Sequence, residues 1–169
     1  MLNRWTRSVG AVALGLVLVL GFWLYGPQPA GAQDNKINYT LGDLKFQDFS
    51  HKDLSGTSLA GSESRGANFE GADLSATILT KASFIGANLS GADLTQAFAD
   101  RVIFDEADLT NAVFVDAILS SSTFNNAKTD GADFSDAILD RYWAKVLCET
   151  ATGTNETTGV ATRDSLGCR

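Results

Sequence analysis

The sequence predicts an all-β solenoid: a coil built from short extended sides, followed by a short helix and a tail closed by a disulfide. Three observations carry this expectation. An apolar residue recurs at every fifth position, a small residue stands two positions before it, and two cysteines bracket a polar C-terminal stretch. The series of centres runs Leu44, Phe49, Leu54, Leu59, Ser64, Phe69, Leu74, Leu79, Phe84, Leu89, Leu94, Ala99, Phe104, Leu109, Phe114, Leu119, Phe124, Thr129, Phe134 and Leu139. All but Ser64, Ala99 and Thr129 are Leu or Phe, and the frame never slips.

A helix has a period of 3.6 and a plain strand a period of 2, so neither generates a strict five. In an extended segment, residues two apart share a face, which points the small residue and the centre inward together. The remaining three positions are expected to turn the corner, and they hold Asp, Asn, Ser, Thr and Gly, the residues that favour turns. Successive fives then wind into a superhelix filled with Leu, Phe and Ala, its coils about 4.8 Å apart at the ordinary strand spacing.

The fives ANFEG, ADLSA, ANLSG, ADLTQ and ADFSD follow A-(D/N)-(L/F)-(S/T)-G, a pattern that resembles the pentapeptide-repeat family. The resemblance implies a right-handed, quadrilateral parallel β-helix with four fives per twenty-residue coil, hence about five coils over residues 42–141. Residues 33–41 are expected to cap its N-terminal end. At the other end DRYWAKVLC leaves the period and reads as a helix, with Asp140 as its N-cap and Tyr142, Trp143, Val146 and Leu147 covering the last coil. Residues 142–169 thus form a C-terminal helix and tail. An uncapped coil end would leave unpaired backbone groups open to edge-to-edge association.

Residues 1–32 carry Arg4 and Arg7, no acid, an apolar run from Val9 to Tyr25 and the small residues Ala30, Gly31 and Ala32. This is the layout of a signal peptide cleaved between Ala32 and Gln33. An uncleaved anchor is the rival, because the run approaches bilayer length; a membrane is otherwise no partner. Without the leader's two cations the chain carries 11 basic and 20 acidic residues, a net charge of −9. An exported acidic domain is not expected to bind nucleic acid. In an oxidising compartment Cys148 and Cys168 favour a disulfide over a metal site or a reactive thiol. Its closure of about twenty residues is worth roughly 3 kcal/mol on the loop-entropy model. Leader, repeat and cysteine-bracketed tail together resemble the lumenal pentapeptide-repeat proteins of cyanobacterial and chloroplast thylakoids. That implies a location in the thylakoid lumen, with the periplasm as the alternative.

Neither a nucleophile–base constellation, a phosphate loop nor a ligand cluster is apparent in the sequence. His51 reads as an exposed corner residue. No enzyme activity, cofactor or metal is expected. The residues before the centres instead separate the four faces. On the third face they are Asp53, Asp73, Asp93, Val113 and Asp133, a carboxylate column. It reads as a set of acceptors for nearby backbone N–H groups, or else as a phosphate mimic like that of family relatives that bind DNA gyrase. A topoisomerase inhibitor is therefore the alternative function.

On the fourth face they are Ser58, Ile78, Phe98, Ile118 and Ile138. An apolar strip of this length calls for a cover: the chain's own termini, a second copy, or another protein. Ile78, Phe98, Ile118 and Ile138 are the candidate docking strip. Phe98 stands beside the undersized centre Ala99, so it either folds inward to fill that space or stands outward as the third rung. The expected function is that of an exported, non-enzymatic module that binds or scaffolds other proteins, with an unidentified protein or a homodimer as its partner.

Overall fold

Every fifth residue from Leu41 to Asp136 has a positive φ, between 53° and 70°. The residue before it does not, and in nearly every five an N–H closes the turn onto the centre's carbonyl three residues back, as from Thr57 to Leu54 (3.0 Å) and from Ala92 to Leu89 (3.0 Å). Positive φ confined to the third residue of such a turn is the signature of type II. Glycine adopts it without a Cβ penalty, as at Gly56 and Gly91, whereas side chains such as those of Gln96 and Asp116 adopt it against their intrinsic preference. What holds them there is the neighbouring coil: the Gln96 amide donates to Val115 O (2.8 Å) and the Asp116 amide to Ser135 O (3.1 Å).

The structure, a computed structural model, describes residues 37–169. The expected leader and its cleavage point at Ala32 and Gln33 lie outside the described residues. Between the turns, every residue preceding a centre pairs in parallel with the residue twenty positions on, from Asp43 with Glu63 through Ile118 with Ile138. A turn every five residues and a register of twenty give a coil of four sides. The position before the centre is therefore the middle of a strand, its side chain pointing outward from a flat face. It is not a corner, as the sequence had suggested. The corners are the two residues after each centre.

The interior is a set of stacked columns. Phe49 and Phe69 stack at 5.0 Å, Phe84 and Phe104 at 5.7 Å, and Phe104 and Phe124 at 5.3 Å, while Phe69 meets Phe84 edge to face at 5.3 Å. Each such pair adds about 0.5–1.5 kcal/mol to the area it buries. Tyr39 extends this series at the N-terminal end, with its ring 5.5 Å from Phe49. Its amide donates to Ser58 O, and Gly42 closes a turn onto Tyr39 O. Residues 37–41 thus follow the solenoid's own path.

Several of the polar residues inside are paired, while the buried Asp133 Oδ2 and Thr162 Oγ1 have no hydrogen-bond partner. The hydroxyls of Ser62 and Ser64 bond each other at 3.1 Å, and those of Thr57 and Thr77 donate to the carbonyls of Leu54 and Leu74. One corner departs from the rest. At Ala99–Val102 the hydroxyl of Ser122, one coil on, accepts from Val102 N (2.8 Å) and donates to Ala99 O (2.6 Å). The same corner one coil earlier is built from Leu79 and Ala82; here the large and small residues exchange places as Ala99 and Val102, both fully buried. The pair is one carbon short of Leu plus Ala. Phe98 does not fold inward to make up the space; it is 43% exposed.

Helix α1, Arg141–Thr150, closes one end of the stack with Trp143 and Leu147 buried and the Trp143 ring 5.8 Å from Phe124. Tyr142, expected in this cover, is instead 67% exposed. Asp140 occupies the N-cap position but makes no cap bond with its side chain. The carboxylate instead accepts from Ser121 N (3.1 Å), a corner amide whose counterparts at Lys81 and Arg101 donate to the carbonyl nineteen residues on; here that carbonyl, Asp140 O, accepts from Ala144 N of α1.

The tail adds further bonds to the end of the stack. Gly131 N donates to Thr152 O, Phe134 N to Ser165 Oγ, and the buried Asn155 amide group donates to Gly131 O (2.8 Å) and Asn111 O (3.0 Å). The Cys148–Cys168 disulfide is formed, with a Cα–Cα distance of 5.6 Å, and ties helix α2, Thr162–Ser165, back to α1. Among the described residues no helix is long and apolar enough to cross a membrane.

Two predictions arise from these contacts. Ser122→Ala leaves a buried N–H and a buried carbonyl without partners and should cost about 1–3 kcal/mol in denaturant unfolding; an unchanged midpoint would show that the hydroxyl does not hold this corner. The second concerns Asp105. Partial burial pushes its carboxyl up, but bonds from the Thr123 hydroxyl and from the Asn125 side chain and backbone outweigh it and hold the carboxyl below its usual value. A depressed folded value means stability that is present above about pH 4 and lost as pH falls through it. Asp105→Asn should therefore be less stable than wild type at neutral pH, with the gap closing below about pH 4. A gap independent of pH would remove the carboxylate from this role.

Candidate functional site

Because the position before each centre points outward from mid-strand, each face displays one column, and the four columns differ chemically. On the second face Asn68 Nδ2 donates to Asp48 Oδ1 (3.1 Å), Asn88 Nδ2 to Asn68 Oδ1 (3.0 Å), and Lys128 pairs with Asp108 at 3.0 Å. These bonds occupy the column with its own partners. Burial raises the Asp108 carboxyl, but its bonds with Thr110 and Lys128 outweigh this and lower it below its ordinary value.

On the third face each aspartate accepts from the backbone N–H two residues later: Asp53 from Ser55, Asp73 from Ser75, Asp93 from Thr95 and Asp133 from Ser135, all at 2.8–3.0 Å. Each carboxylate thus caps the first residue of its own turn, the interaction that makes Asp common in turns. Nor is the column open along its length. Val113 is 7% exposed and Asp133 only 1%, where the tail docks through Ser165. The acidic strip read from the sequence shortens to Asp53, Asp73 and Asp93.

His51 lies at a positive-φ corner, exposed, its ring over the Cα of Gly71 so that a Cβ there would approach Nδ1 to 2.6 Å. It borders a shallow groove of about 310 Å³ with Glu70, Ser90 and Glu156. Among the described residues no three His, Cys, Asp or Glu side chains are grouped to hold a metal ion.

The fourth face is unlike the others. Ile78, Phe98, Ile118 and Ile138 are joined rung to rung by the parallel bridges Ile78 with Phe98, Phe98 with Ile118, and Ile118 with Ile138. Ile78 is 47% exposed and Ile138 58%, and Ile118 is half-buried between its neighbours. The strip predicted from the sequence is thus a continuous apolar column, and none of the described C-terminal segments covers it. It also forgoes something. An isoleucine or phenylalanine offers no acceptor to the amide two residues on, so Thr80, Asp100, Ser120 and Asp140 lack the side-chain cap that Ser75 and Thr95 receive. A bond worth about 0.5–1.5 kcal/mol is given up at each rung.

Comparison with known proteins agrees with this geometry. Pentapeptide repeats match in eight copies over residues 43–75, 65–96 and 103–141. The gap at 97–102 is the corner where Ala99 and Val102 exchange sizes. No curated protein matches the chain. A pentapeptide repeat protein from the thylakoid lumen of Arabidopsis thaliana is 38% identical, over 75% of this chain and 88% of its own, with a TM-score of 0.73. A pentapeptide repeat protein from Nostoc PCC 7120 is 20% identical, covering 70% and 94%, at a TM-score of 0.47. QnrB1, a plasmid-mediated fluoroquinolone resistance protein, is 21% identical, covering 67% and 70%, at 0.42. The last two are too distant to carry an argument. With the fives, the twenty-residue register and the family match in agreement, the chain belongs to the pentapeptide-repeat family.

Proposed function

We propose that this protein is an exported, non-enzymatic docking module of the thylakoid lumen or periplasm, whose fourth face binds another protein and which supports photosynthetic complexes. The observation that carries the reading is the column of Ile78, Phe98, Ile118 and Ile138, apolar and solvent-facing over four consecutive coils, whereas exposed Phe46 and Ile103 each stand singly in their columns. Contiguous apolar patches on soluble domains mark interaction surfaces, and this one stands where aspartate would have been locally more stabilising. The apolar leader and the formed disulfide support an oxidising compartment. Similarity to a lumenal pentapeptide repeat protein supports the thylakoid.

The third-face aspartates favour no DNA mimicry, since each spends an oxygen on its own turn. The partner is a protein, and the chemistry is that of surface complementarity.

Replacing Ile78, Ile118 and Ile138 together by Lys leaves the interior columns untouched. The substituted protein should keep its circular dichroism and unfolding midpoint while retaining at least about tenfold less of its bound partner, because truncated interface anchors cost roughly 1–2 kcal/mol each. Undiminished binding by a folded variant would remove the strip from this function.

A further inference from the structure

The corners that border the apolar column carry opposite charge. The corner after the fourth-face strands holds Lys81 and Arg101 with Asp100, and Asp140 and Arg141, the first residue of α1, continue it at the end of the stack: three cations less two carboxylates, or +1. Arg101 is already paired to Asp100 at 2.6 Å, and the Asp140 carboxylate is bonded to Ser121 N. Lys81 and Arg141 are exposed and make no salt bridge among the described residues. The corner before the same strands holds Asp116 and Asp136 and no cation, or −2, and both are exposed. The column is thus an apolar strip with a basic border on one side and an acidic border on the other.

A face of this kind is complementary to itself in one orientation. Two copies laid face to face about a two-fold axis parallel to the solenoid axis bring the basic border of each onto the acidic border of the other. Arg141 then lies at the level of Asp136 of the second copy, and each rung meets its own counterpart. A two-fold axis across the solenoid would instead set basic on basic and acidic on acidic. The rungs repeat at the strand spacing, about 4.8 Å, so the surface that matches them rung for rung is a solenoid of the same rise, and a second copy provides it.

We propose that the fourth face is the interface of a parallel, two-fold homodimer, with Ile78, Phe98, Ile118 and Ile138 along the axis and the Lys81–Arg141 and Asp116–Asp136 borders paired across it. This rests on the docking reading above and names the partner as a second copy of the chain. A different protein on this face becomes an outcome of the test.

The chain recovered after export, with its disulfide intact, should sediment as a concentration-dependent dimer, and Ile118→Glu should sediment as a monomer with an unchanged unfolding midpoint. Asp116→Arg combined with Asp136→Arg should weaken the dimer at least about tenfold, a penalty of about 1.4 kcal/mol, and high salt should narrow that difference. Orientation is read with a single thiol. Ile138→Cys should form a covalent dimer with itself on mild oxidation, whereas mixing Ile138→Cys with Ile78→Cys should give no preferred cross-link between the two.

A wild-type chain that stays monomeric at high micromolar concentration overturns the proposal. If Ile78→Lys, Ile118→Lys and Ile138→Lys still abolish binding to another protein in that case, the docking reading survives without the homodimer; if nothing binds, both fail. Preferential cross-linking of position 78 to position 138 also overturns the proposal, by making the dimer antiparallel.

Discussion

Everything in this molecule depends on one constraint: a residue in a strand pairs in parallel with the residue twenty positions later. The type II turns bend the chain every five residues, and four bends bring it back over itself in register. Four of the five amides in a typical unit are then satisfied by backbone carbonyls, three by the coils above and below and one by the turn itself. The fifth, just after the centre, depends on an Asp or Asn side chain two residues earlier. This division of labour explains why the repeat tolerates almost any residue at its corners and so few inside. It also explains why the frame never slips. A single inserted residue would send the buried columns to the surface and place polar corners in the core.

Because the register is rigid, the ends are where the chain must improvise. The Thr152 carbonyl and the Ser165 hydroxyl each take over a bond that another coil would have provided, the Asp140 carboxylate stands in for its own carbonyl, which α1 has claimed, and the Asn155 amide group ties down two corner carbonyls that no backbone N–H reaches. The Cys148–Cys168 link holds this patchwork against the last coil at small entropic cost to the folded state. The same economy operates at Ala99–Val102, where a hydroxyl from the next coil completes a corner whose inner residues have changed size.

The period of five was enough to read the interior; four fives to a coil, and with them the four faces and the apolar strip, came from the resemblance to the pentapeptide-repeat family, and the disulfide from a pair of cysteines in a chain expected to be exported. Local geometry was less legible. The residue before each centre looked like a corner because it is so often Asp; the structure places it mid-strand, with its carboxylate reaching forward to cap the corner. Asp140 looked like a helix cap on composition, but the corner amide of Ser121, whose usual carbonyl acceptor is taken by α1, competes for it and wins. Tyr142 lay in an apolar run and was expected to be covered, yet the helix phase set by Trp143 and Leu147 turns it outward. Nothing in the spacing pointed to Asn155 or Ser122, whose roles depend on segments distant in sequence. The charged borders of the fourth face were legible in principle, since they are columns of the same period, but only once the corners had been located correctly.

Amide hydrogen exchange on the native protein tests the coil register most directly, residue by residue. The account predicts that the strand amides of Asp93, Phe98, Asp108 and Ile118 exchange only through global unfolding. It also predicts one faster amide in each five on the fourth face, at Thr80, Asp100 and Ser120, where no side-chain cap is available, and slower exchange at the capped Ser75 and Thr95. Uniform protection across these positions, or strand amides that exchange as freely as the tail, would contradict it.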